Sequence, residues 1–576
     1  MLTPENKVAV EAGPGSGKTA ILIARAGIMA ENEPPDQTML ITFTRKAARQ
    51  MKERLSQFTN TSEMYIGTFH SIAFSIIKEW NNDGKKFRIW DEDDRISALK
   101  NIYGKDKMND VRNLSRLIGF YFIDRPIDPK EVDILKEGLA KYKEFIKEKE
   151  QKENIHIYDL ESLIKIAIKT IEENNITIKN ILVDEAQDMN PIQKKFVDAL
   201  NPETLFLVGD PKQSIYEFRG ATSEFFKKVM EEYPLFTLHK NYRSTPQILN
   251  MAESIYKRGL EPVKEEEGEA KVKYVADTEE EFEFIEEKAR ETLQNEQETL
   301  AVLSRTRLEA HNISVYLTKR KIPHTIIGEY NLFKRKEVKD CIAYLEVVSR
   351  KFAISDLLRI VNEPRRGIGK TKKKEIEEEF DKTRNDIINI LDRVSERWND
   401  KPKKNAKKLV DIIRKAREMQ EKEKVRDILE YILKETGYFD SIEDNRKMHV
   451  KVLLDIATEF NSIGDFIIYT HLGQEDSENN NKNIIVSTIH SVKGLEFDTV
   501  IIANAVKGYL PFGKDDNEQE KNLFYVAVTR AKKNLYIVVP KVVKTINGEE
   551  QESELSPYVR DIINTKRRQN ESKNRV

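Results

Sequence analysis

The segment GPGSGKT, residues 13–19, most constrains what this chain can fold into. It fits the pattern G-x-x-x-x-G-K-[ST], directly follows the apolar run KVAVEA (7–12) and opens a helical stretch at Lys18. Glycines let backbone N–H groups curl around phosphate oxygens, and the dipole of the following helix strengthens the attraction. The segment therefore predicts a phosphate-binding loop between a buried strand and a helix, which is typical of an α/β domain.

The residues of this loop have separate predicted tasks at a nucleoside triphosphate. Lys18 is expected to reach the β- and γ-phosphates, and Thr19 to ligate Mg²⁺. The predicted nucleotide contacts are Gly13, Pro14, Gly15, Ser16, Gly17, Lys18, Thr19 and Ala20.

A second run, LVDEAQD (182–188), supplies the acids that such a loop needs for catalysis. Asp184 is predicted to hold Mg²⁺, directly or through water, and Glu185 to orient or deprotonate the attacking water. Gln213 ends the next strand and is predicted to sense the γ-phosphate. Two acids that merely cap a strand are the alternative, but beside this loop the pair predicts hydrolysis of the nucleotide as well as binding.

Further apolar runs extend the α/β pattern along the chain and predict parallel sheets, because they alternate with helical stretches. The predicted strands lie in 7–12, 38–44, 64–70, 180–188, 205–213, 299–305, 484–490, 499–505 and 534–540. Two long charged stretches have a helical period. We therefore predict two α/β cores, each interrupted by a mainly helical insert. The predicted divisions are 1–86 with 176–240 (first core), 87–175 (first insert), 241–365 with 480–545 (second core), 366–479 (second insert) and 546–576 (C-terminal helix and basic tail).

Composition narrows the class of protein. Charged residues make up 34% of the chain, but Lys+Arg (97) and Asp+Glu (98) nearly cancel, so a polyanion has to be held in a local groove. No run of about 18 apolar residues occurs, so no membrane span is predicted. The single cysteine, Cys341, excludes an internal disulfide and a cysteine-rich metal site. We expect a soluble, cytoplasmic and nucleoid-associated protein.

Seven motifs resemble, in order and over nearly the whole chain, those of a UvrD/Rep-type superfamily 1 DNA helicase. They are TFTRKAA (42–48), GTFHS (67–71), DEAQD (184–188), VGDPKQSIYEFRGA (208–221), NYRS (241–244), STIHSVKGLEF (487–497) and YVAVTRA (525–531). The resemblance implies two RecA-like parallel-sheet P-loop motor domains. It also implies that ATP binds with Mg²⁺ in the cleft between them, and that single-stranded DNA runs across both.

The resemblance assigns further residues to the nucleotide. Arg530 resembles the arginine finger of the second motor domain, and Arg243 its companion at the hinge; both would stabilise charge that develops in the transition state. Tyr242 would stack on the adenine, and Glu496 would face the ribose side. Gln187 would link the catalytic acid to neighbouring groups.

The same resemblance places a track for single-stranded DNA on both motor domains. The residues it implies are Thr42, Phe43, Thr44, His70, Tyr216, Phe218, Arg219, Arg305 and His490. Aromatic platforms with a few cations suit sequence-tolerant binding of single strands. A core role is the alternative for Phe43 and Phe218.

The second insert opens with NEPRRGIGKTKKKEIEEEF (362–380), which resembles a helix-hairpin-helix phosphate clamp for duplex DNA. A plain helix-capping turn with solvated lysines is the alternative. Two departures from the family stand out: Asn6 occupies the place of an adenine-reading glutamine, and Arg45 that of an asparagine. ATP is the predicted nucleotide, and tolerance of GTP is the alternative that follows from Asn6.

The function predicted from these motifs is an ATP-dependent DNA helicase or translocase that moves 3′ to 5′, in DNA repair or replication. Its predicted partners are single-stranded DNA and single-strand/duplex junctions, and the chain is expected to be capable of working as a monomer. The alternative is a DNA-stimulated ATPase motor subunit that acts mainly with a nuclease or repair protein and unwinds weakly alone. A non-motor ATP-binding protein is disfavoured by the set of Asp184, Glu185 and Arg530.

Overall fold

The computed structural model describes residues 6–81, 83–104, 108–215, 223–295, 297–327, 332–458, 460–467, 470, 483–513, 517–544 and 550–573. The chain forms two compact units. The first contains residues 1–268, 516–529 and 564–576, and the second contains residues 269–515 and 530–563. The predicted division into two cores and two inserts, with its exact boundaries, stays a prediction.

Strands and helices alternate along the first unit up to residue 268. The strands are β1 (Lys7–Ala12), β2 (Thr38–Thr42), β3 (Tyr65–Thr68), β4 (Lys86–Trp90), β5 (Ile155–Asp159), β6 (Asn180–Val183), β7 (Thr204–Gly209), β8 (Leu235–Leu238), β9 (Lys240–Asn241) and β10 (Glu261–Pro262). The helices are α1 (Lys18–Asn32), α2 (Arg45–Leu55), α3 (Phe69–Trp80), α4 (Glu92–Tyr103), α5 (Met108–Phe122), α6 (Val132–Glu153), α7 (Leu163–Asn174), α8 (Pro191–Ala199), α9 (Ser223–Glu232) and α10 (Pro246–Ile255).

The remaining elements follow in chain order. The strands are β11 (Glu269–Val275), β12 (Leu300–Ser304), β13 (Thr325–Ile327), β14 (Ile484–Thr488), β15 (Phe497–Ile502), β16 (Ala531–Pro540), β17 (Val542–Lys544) and β18 (Glu550–Glu552). The helices are α11 (Thr278–Leu293), α12 (Arg307–Lys319), α13 (Lys336–Ser349), α14 (Ile354–Ile360), α15 (Lys370–Thr383), α16 (Ile387–Ser395), α17 (Asp400–Met419), α18 (Val425–Thr436), α19 (Tyr438–Ser441), α20 (Asp444–Ala457), α21 (Glu518–Val528) and α22 (Pro557–Lys573). Helix α21 belongs to the first unit.

The first unit is built on a six-stranded sheet in the order β3-β2-β6-β7-β1-β8. Every neighbouring pair is parallel. The central strands β2 and β6 are buried along their whole length, and an apolar cluster covers each face of the sheet. Burial on both faces explains why these strands form continuous apolar runs in the sequence. The phosphate-binding loop follows β1, at the carboxyl edge of this sheet.

The second unit contains another six-stranded sheet, in the order β11-β16-β15-β12-β14-β13. Its neighbouring strands are also parallel. All nine predicted strands are found in the two sheets, and the predicted fold class, two parallel-sheet α/β cores with helical inserts, is confirmed.

Helices dominate the stretches between the sheet strands. In the first unit, α4, α5 and α6 pack around their own apolar cluster, beside a parallel pair of short strands, β4 and β5. In the second unit, helices α13 to α20 share a large buried cluster. None of the described helices combines the length and apolar character needed to cross a membrane.

Candidate nucleotide site and DNA track

The loop between β1 and α1 has a backbone conformation that depends on glycine. Gly15 and Gly17 have φ angles of 66° and 82°, in the left-handed region that favours glycine. The Ser16 hydroxyl donates a 2.7 Å hydrogen bond to the Gly13 carbonyl and closes the turn. Gly17 precedes α1, and neither a side-chain cap nor an acidic residue occupies the start of that helix. The first N–H groups of α1 are therefore suited to an anion.

Lys18 directs a buried ammonium group toward the predicted catalytic acids. Its Nζ lies 3.6 Å from Oε2 of Glu185. This Nζ is buried without a hydrogen-bond partner among the described residues. A buried cation that lacks hydrogen bonds carries an energetic cost, which phosphate oxygens would offset. The loop and Lys18 together fit the phosphates of a nucleotide.

Thr19 and Asp184 come together although 165 positions separate them. The Thr19 hydroxyl donates a 3.2 Å hydrogen bond to Oδ2 of Asp184. Burial, together with the negative charge of Glu185, raises the pKa of Asp184 to about 6, while Lys18 lowers it. A buried carboxylate beside a hydroxyl is a donor set that Mg²⁺ favours, because the ion prefers hard oxygen ligands and offsets the cost of the buried charge.

Glu185 is held by a chain of hydrogen bonds that runs across the carboxyl ends of two strands. Its φ angle is 52°, in the left-handed region. Gln187 donates a 2.6 Å hydrogen bond from Nε2 to Oε2 of Glu185, and its Oε1 accepts a 2.9 Å bond from the backbone N–H of Asp210. Gln213 in turn donates a 2.6 Å bond to Oδ2 of Asp210. The predicted water-orienting acid and the predicted γ-phosphate sensor therefore belong to one network.

The motif NYRS contributes a residue that the sequence analysis missed. The Asn241 side-chain amide donates a 2.6 Å hydrogen bond to the Pro14 carbonyl, and its Oδ1 accepts from the backbone N–H groups of Arg243 and Ser244. The Tyr242 N–H donates to the Gly15 carbonyl at 2.8 Å. This motif therefore fixes the back of the phosphate-binding loop. The one signal for Asn241 in the sequence was its position in a matched motif.

Tyr242 and Arg243 are oriented by these bonds. The Tyr242 side chain is 57% exposed, so its ring has a face available for an adenine. The Arg243 guanidinium donates a 3.1 Å hydrogen bond to the Thr529 carbonyl at the end of α21.

In the second unit, Arg530 directly precedes β16 and is only 2% exposed. Its guanidinium donates a 3.2 Å hydrogen bond to the Leu495 carbonyl, and its own carbonyl accepts from the N–H of Phe497 at 3.0 Å. Glu496 is exposed, with its carboxylate 3.5 Å from the Lys532 ammonium. Arg530 and Glu496 therefore sit on neighbouring backbone segments within this unit.

The predicted DNA contacts of the first unit lie at the carboxyl ends of β2 and β3. Thr42 is buried, and Thr44 caps α2 by accepting from the N–H of Ala47 at 3.1 Å. Phe43 is half-buried, with its ring edge to Phe69 at 5.6 Å. His70 is half-buried at the start of α3, and burial lowers its pKa. These four share one edge of the sheet. The predicted contacts Tyr216, Phe218 and Arg219 fall outside the described residues.

The predicted DNA contacts of the second unit are Arg305, which directly follows β12, and His490, which follows β14. These strands are neighbours in the sheet. The Arg305 guanidinium lies over the ring of Phe512 at 5.4 Å, and Phe512 is 53% exposed. His490 is half-buried in a short 3-10 helix.

Comparison with known proteins identifies the family. The family profile described as UvrD/REP helicase N-terminal domain matches residues 1–234, and the one described as UvrD-like helicase C-terminal domain matches residues 236–541. The chain is 28% identical to the ATP-dependent DNA helicase Rep of Buchnera aphidicola, over 91% of this chain and 88% of the relative. It is 27% identical to the ATP-dependent DNA helicase PcrA of Staphylococcus aureus, over 93% and 81%. The PcrA of Staphylococcus epidermidis is also 27% identical, over 97% and 85%.

The two profiles cover nearly all of the residues that build the two sheets, and their matched ranges contain the seven motifs. The resemblance stated from those motifs is confirmed. The chain belongs to the UvrD-like helicase family.

Proposed function

We propose that this enzyme, an ATP-dependent DNA helicase of the UvrD/Rep type, moves 3′ to 5′ along single-stranded DNA and couples ATP hydrolysis to unwinding of a duplex. We place it on nucleoid DNA in the cytoplasm, in repair or replication. The observation that carries the proposal is the meeting of Lys18, Thr19, Asp184 and Glu185 at one edge of the first sheet. That set hydrolyses a nucleotide in addition to binding it.

In the proposed reaction, residues 13–20 surround the phosphates, which accept from the backbone N–H groups of all these residues except Pro14. Lys18 supplies the positive charge at the β- and γ-phosphates. Thr19 and Asp184 would hold Mg²⁺, which would supply positive charge to the phosphate oxygens. Glu185, fixed by Gln187, takes a proton from the attacking water. Gln213 senses the γ-phosphate.

Four further residues have proposed roles at the nucleotide. Arg243 and Arg530 stabilise charge that develops in the transition state, as arginine fingers do. Tyr242, more than half exposed, stacks on the base, and Glu496 faces the ribose.

For the DNA, we propose that the single strand follows the carboxyl edges of the sheets. Phe43 and His70 lie on the first sheet, and Arg305 and His490 on the second; Thr42, Thr44, Tyr216, Phe218 and Arg219 complete the set. Half-buried aromatic rings and cations at strand ends suit stacking and phosphate contact without base-specific readout.

For the duplex side of a junction, we propose the turn before α15 as a phosphate clamp. Asn362 Oδ1 accepts from the backbone N–H groups of Arg366 and Ile368, at 2.8 and 3.1 Å. The Arg366 guanidinium donates inward to the carbonyls of Ile360 and Glu363, both at 2.9 Å. The turn is therefore held from within. The first turn of α15 has no acidic residue and no side-chain cap, which is the arrangement that an anion prefers.

The decisive experiment is steady-state ATP hydrolysis with and without poly-dT, repeated with GTP. We expect poly-dT to raise the turnover of the wild-type chain about tenfold or more, and Glu185→Gln to bind ATP with almost no turnover. Absence of stimulation would overturn the proposal of an independent motor. The alternative, a motor subunit of a nuclease or repair complex, predicts strong stimulation with weak unwinding of a forked duplex. Equal rates of hydrolysis with ATP and GTP are the result expected if Asn6, in the place of the adenine-reading glutamine, relaxes the choice of base.

A further inference from the structure

A charged residue interrupts the apolar strand that leads into the phosphate-binding loop. In KVAVEA, Glu11 lies two positions before Gly13, and its side chain is 26% exposed. Its Oε1 accepts a 2.7 Å hydrogen bond from the Arg258 guanidinium, 247 positions away. A carboxylate at this place needs a positive partner, because a partly buried charge is costly alone.

Arg258 bridges two carboxylates with the two arms of its guanidinium. One arm reaches Glu11, and the other donates a 2.6 Å hydrogen bond to Oδ1 of Asp210. The Arg258 side chain is 10% exposed, and the Asp210 side chain is fully buried. Burial opposes the charge on Arg258, but Asp210, Tyr525 and Glu11 outweigh it and raise its pKa above the ordinary value. The Arg258 guanidinium is therefore charged. Because it is planar and bonds to a carboxylate with each arm, it holds the two carboxylates rigidly.

The turn that carries Arg258 is itself held by hydrogen bonds to one side chain. Glu253, near the end of α10, accepts hydrogen bonds from three consecutive backbone N–H groups, those of residues 258, 259 and 260, at 2.9, 3.1 and 3.0 Å. Leu260 packs so closely on Gly13 that a Cβ at that glycine would lie 2.8 Å from its Cδ2. One turn therefore touches both the start of the phosphate-binding loop and the strand before it.

On its other side, Arg258 acts on the residues that face the γ-phosphate. Oδ1 of Asp210 accepts from the N–H of Lys212 at 3.0 Å, and Oδ2 accepts from the Gln213 side chain at 2.6 Å. The Asp210 N–H donates to Gln187, which holds Glu185. Asp210 is thus the group through which Arg258 can orient both Gln213 and Glu185.

We propose that Arg258 is a positioning residue for ATP hydrolysis. By bridging Glu11 and Asp210, it fixes the distance between the phosphate-binding loop and the γ-phosphate sensor Gln213. This rests on the proposed function of the site. Small displacements of catalytic groups cost rate more than affinity, because the reacting atoms need near-attack geometry. Arg258 therefore contributes to kcat and to recognition of the γ-phosphate, and little to binding of ADP.

The test uses Arg258→Lys in the full chain, which keeps the charge but cannot bridge two carboxylates as a fork does. We expect kcat at saturating ATP and poly-dT to fall about tenfold to a hundredfold, and the Kd for a fluorescent ADP to stay within about twofold of the wild-type value. ADP with beryllium fluoride mimics a nucleotide with its γ-phosphate. We expect the variant to bind this complex no more tightly than it binds ADP alone. In a Gln213→Ala background, Arg258→Lys should lower kcat by a smaller factor than it does in the wild type, because part of its effect passes through Gln213.

The matched control is Arg95→Lys, which disturbs another buried ion pair of the first unit. Arg95 is 1% exposed and lies 2.8 Å from Asp159, in the helical stretch between β4 and β5. We expect it to lower the melting temperature and leave kcat unchanged. Equal kcat losses in the two Lys variants, or additive losses of Arg258→Lys and Gln213→Ala, would overturn the positioning role. The beryllium fluoride comparison decides this even if poly-dT fails to stimulate the wild type, which would count against the proposed function alone.

Discussion

At the scale of single residues, the second unit holds one carboxyl group completely away from water. Glu281 on α11 is 0% exposed. Its Oε1 accepts a 2.8 Å hydrogen bond from the backbone N–H of Asn504, after β15. Burial raises the pKa of Glu281 to about 8, the Asn504 N–H lowers it, and the negative charge of Glu309 raises it further. The fold therefore prefers the neutral acid.

This preference predicts how stability depends on pH. The folded protein binds the Glu281 proton more tightly than the unfolded chain does. The contribution of Glu281 to the free energy of unfolding is therefore complete below the ordinary pKa of 4.5, and it declines as pH rises to about 8. Each pH unit in that window costs about 1.4 kcal/mol. Glu281→Gln has no proton to lose. We expect the free energy of unfolding in urea to match the wild type near pH 5 and to exceed it by a few kcal/mol near pH 8.

The control for this prediction is Glu283→Gln, because Glu283 lies on the same helix and is exposed. It should leave the pH dependence of the wild type unchanged. A difference between Glu281→Gln and wild type that stays constant from pH 5 to pH 8 would contradict the prediction.

The residues that the sequence analysis placed at the nucleotide all belong to short motifs with a chemical reason for each position. Lys18, Thr19 and Asp184 were predicted in this way, and in the structure they lie together. Arg258 and Asn241 were not predicted. The role of Arg258 depends on partners 48 and 247 positions away, and no local pattern marks a residue whose meaning comes from such contacts.

At the scale of elements, the strands of the two six-stranded sheets that the sequence analysis missed share one property. They are β8, β11 and β13, and each is an edge strand of its sheet. An edge strand packs on fewer neighbours, so it needs no continuous apolar run: β8 is mostly exposed, and β11 carries Glu269, Lys271 and Lys273. Central strands were predictable because parallel sheets bury both of their faces.

The helix α15 gives a prediction at this scale. Its first turn carries Lys370, exposed and beside the uncapped N–H groups, and its last turn carries the exposed Lys382. A glutamate at the first position would repel a phosphate there. We expect Lys370→Glu to weaken binding of a forked duplex about tenfold, while poly-dT still stimulates ATP hydrolysis fully. Fluorescence anisotropy with labelled DNA measures this.

Lys382→Glu is the control, since it makes the same charge change at the opposite end of the same helix. Equal losses of duplex affinity in both variants would mean that only overall charge matters, and the proposed clamp would be wrong. A loss of poly-dT stimulation in Lys370→Glu would instead place α15 on the single-stranded track.

At the scale of the whole molecule, hydrolysis is proposed to need residues from both units. Arg530 is the test, because it belongs to the second unit and directly precedes β16. We expect Arg530→Ala to lower kcat about a thousandfold, as loss of an arginine finger does, with the Kd for ATP close to the wild-type value. Rapid-quench kinetics and equilibrium nucleotide binding separate the two quantities. An unchanged kcat with a raised KM would show that Arg530 only binds substrate.

The path of the chain between the units has a consequence for how the protein is made. Helix α21 belongs to the first unit, where Asn522 accepts a hydrogen bond from Tyr256 and Glu518 pairs with Lys212. The first unit therefore stays incomplete on the ribosome at least until residue 529 has emerged, long after residue 268. At about 5–20 residues per second, synthesis of the roughly 250 intervening residues takes about 12–50 s. During that time the nascent chain has the phosphate-binding loop but neither α21 nor Arg530. The proposed hydrolysis therefore has to wait for the rest of the chain, and the surface of the first unit that α21 packs against stays uncovered.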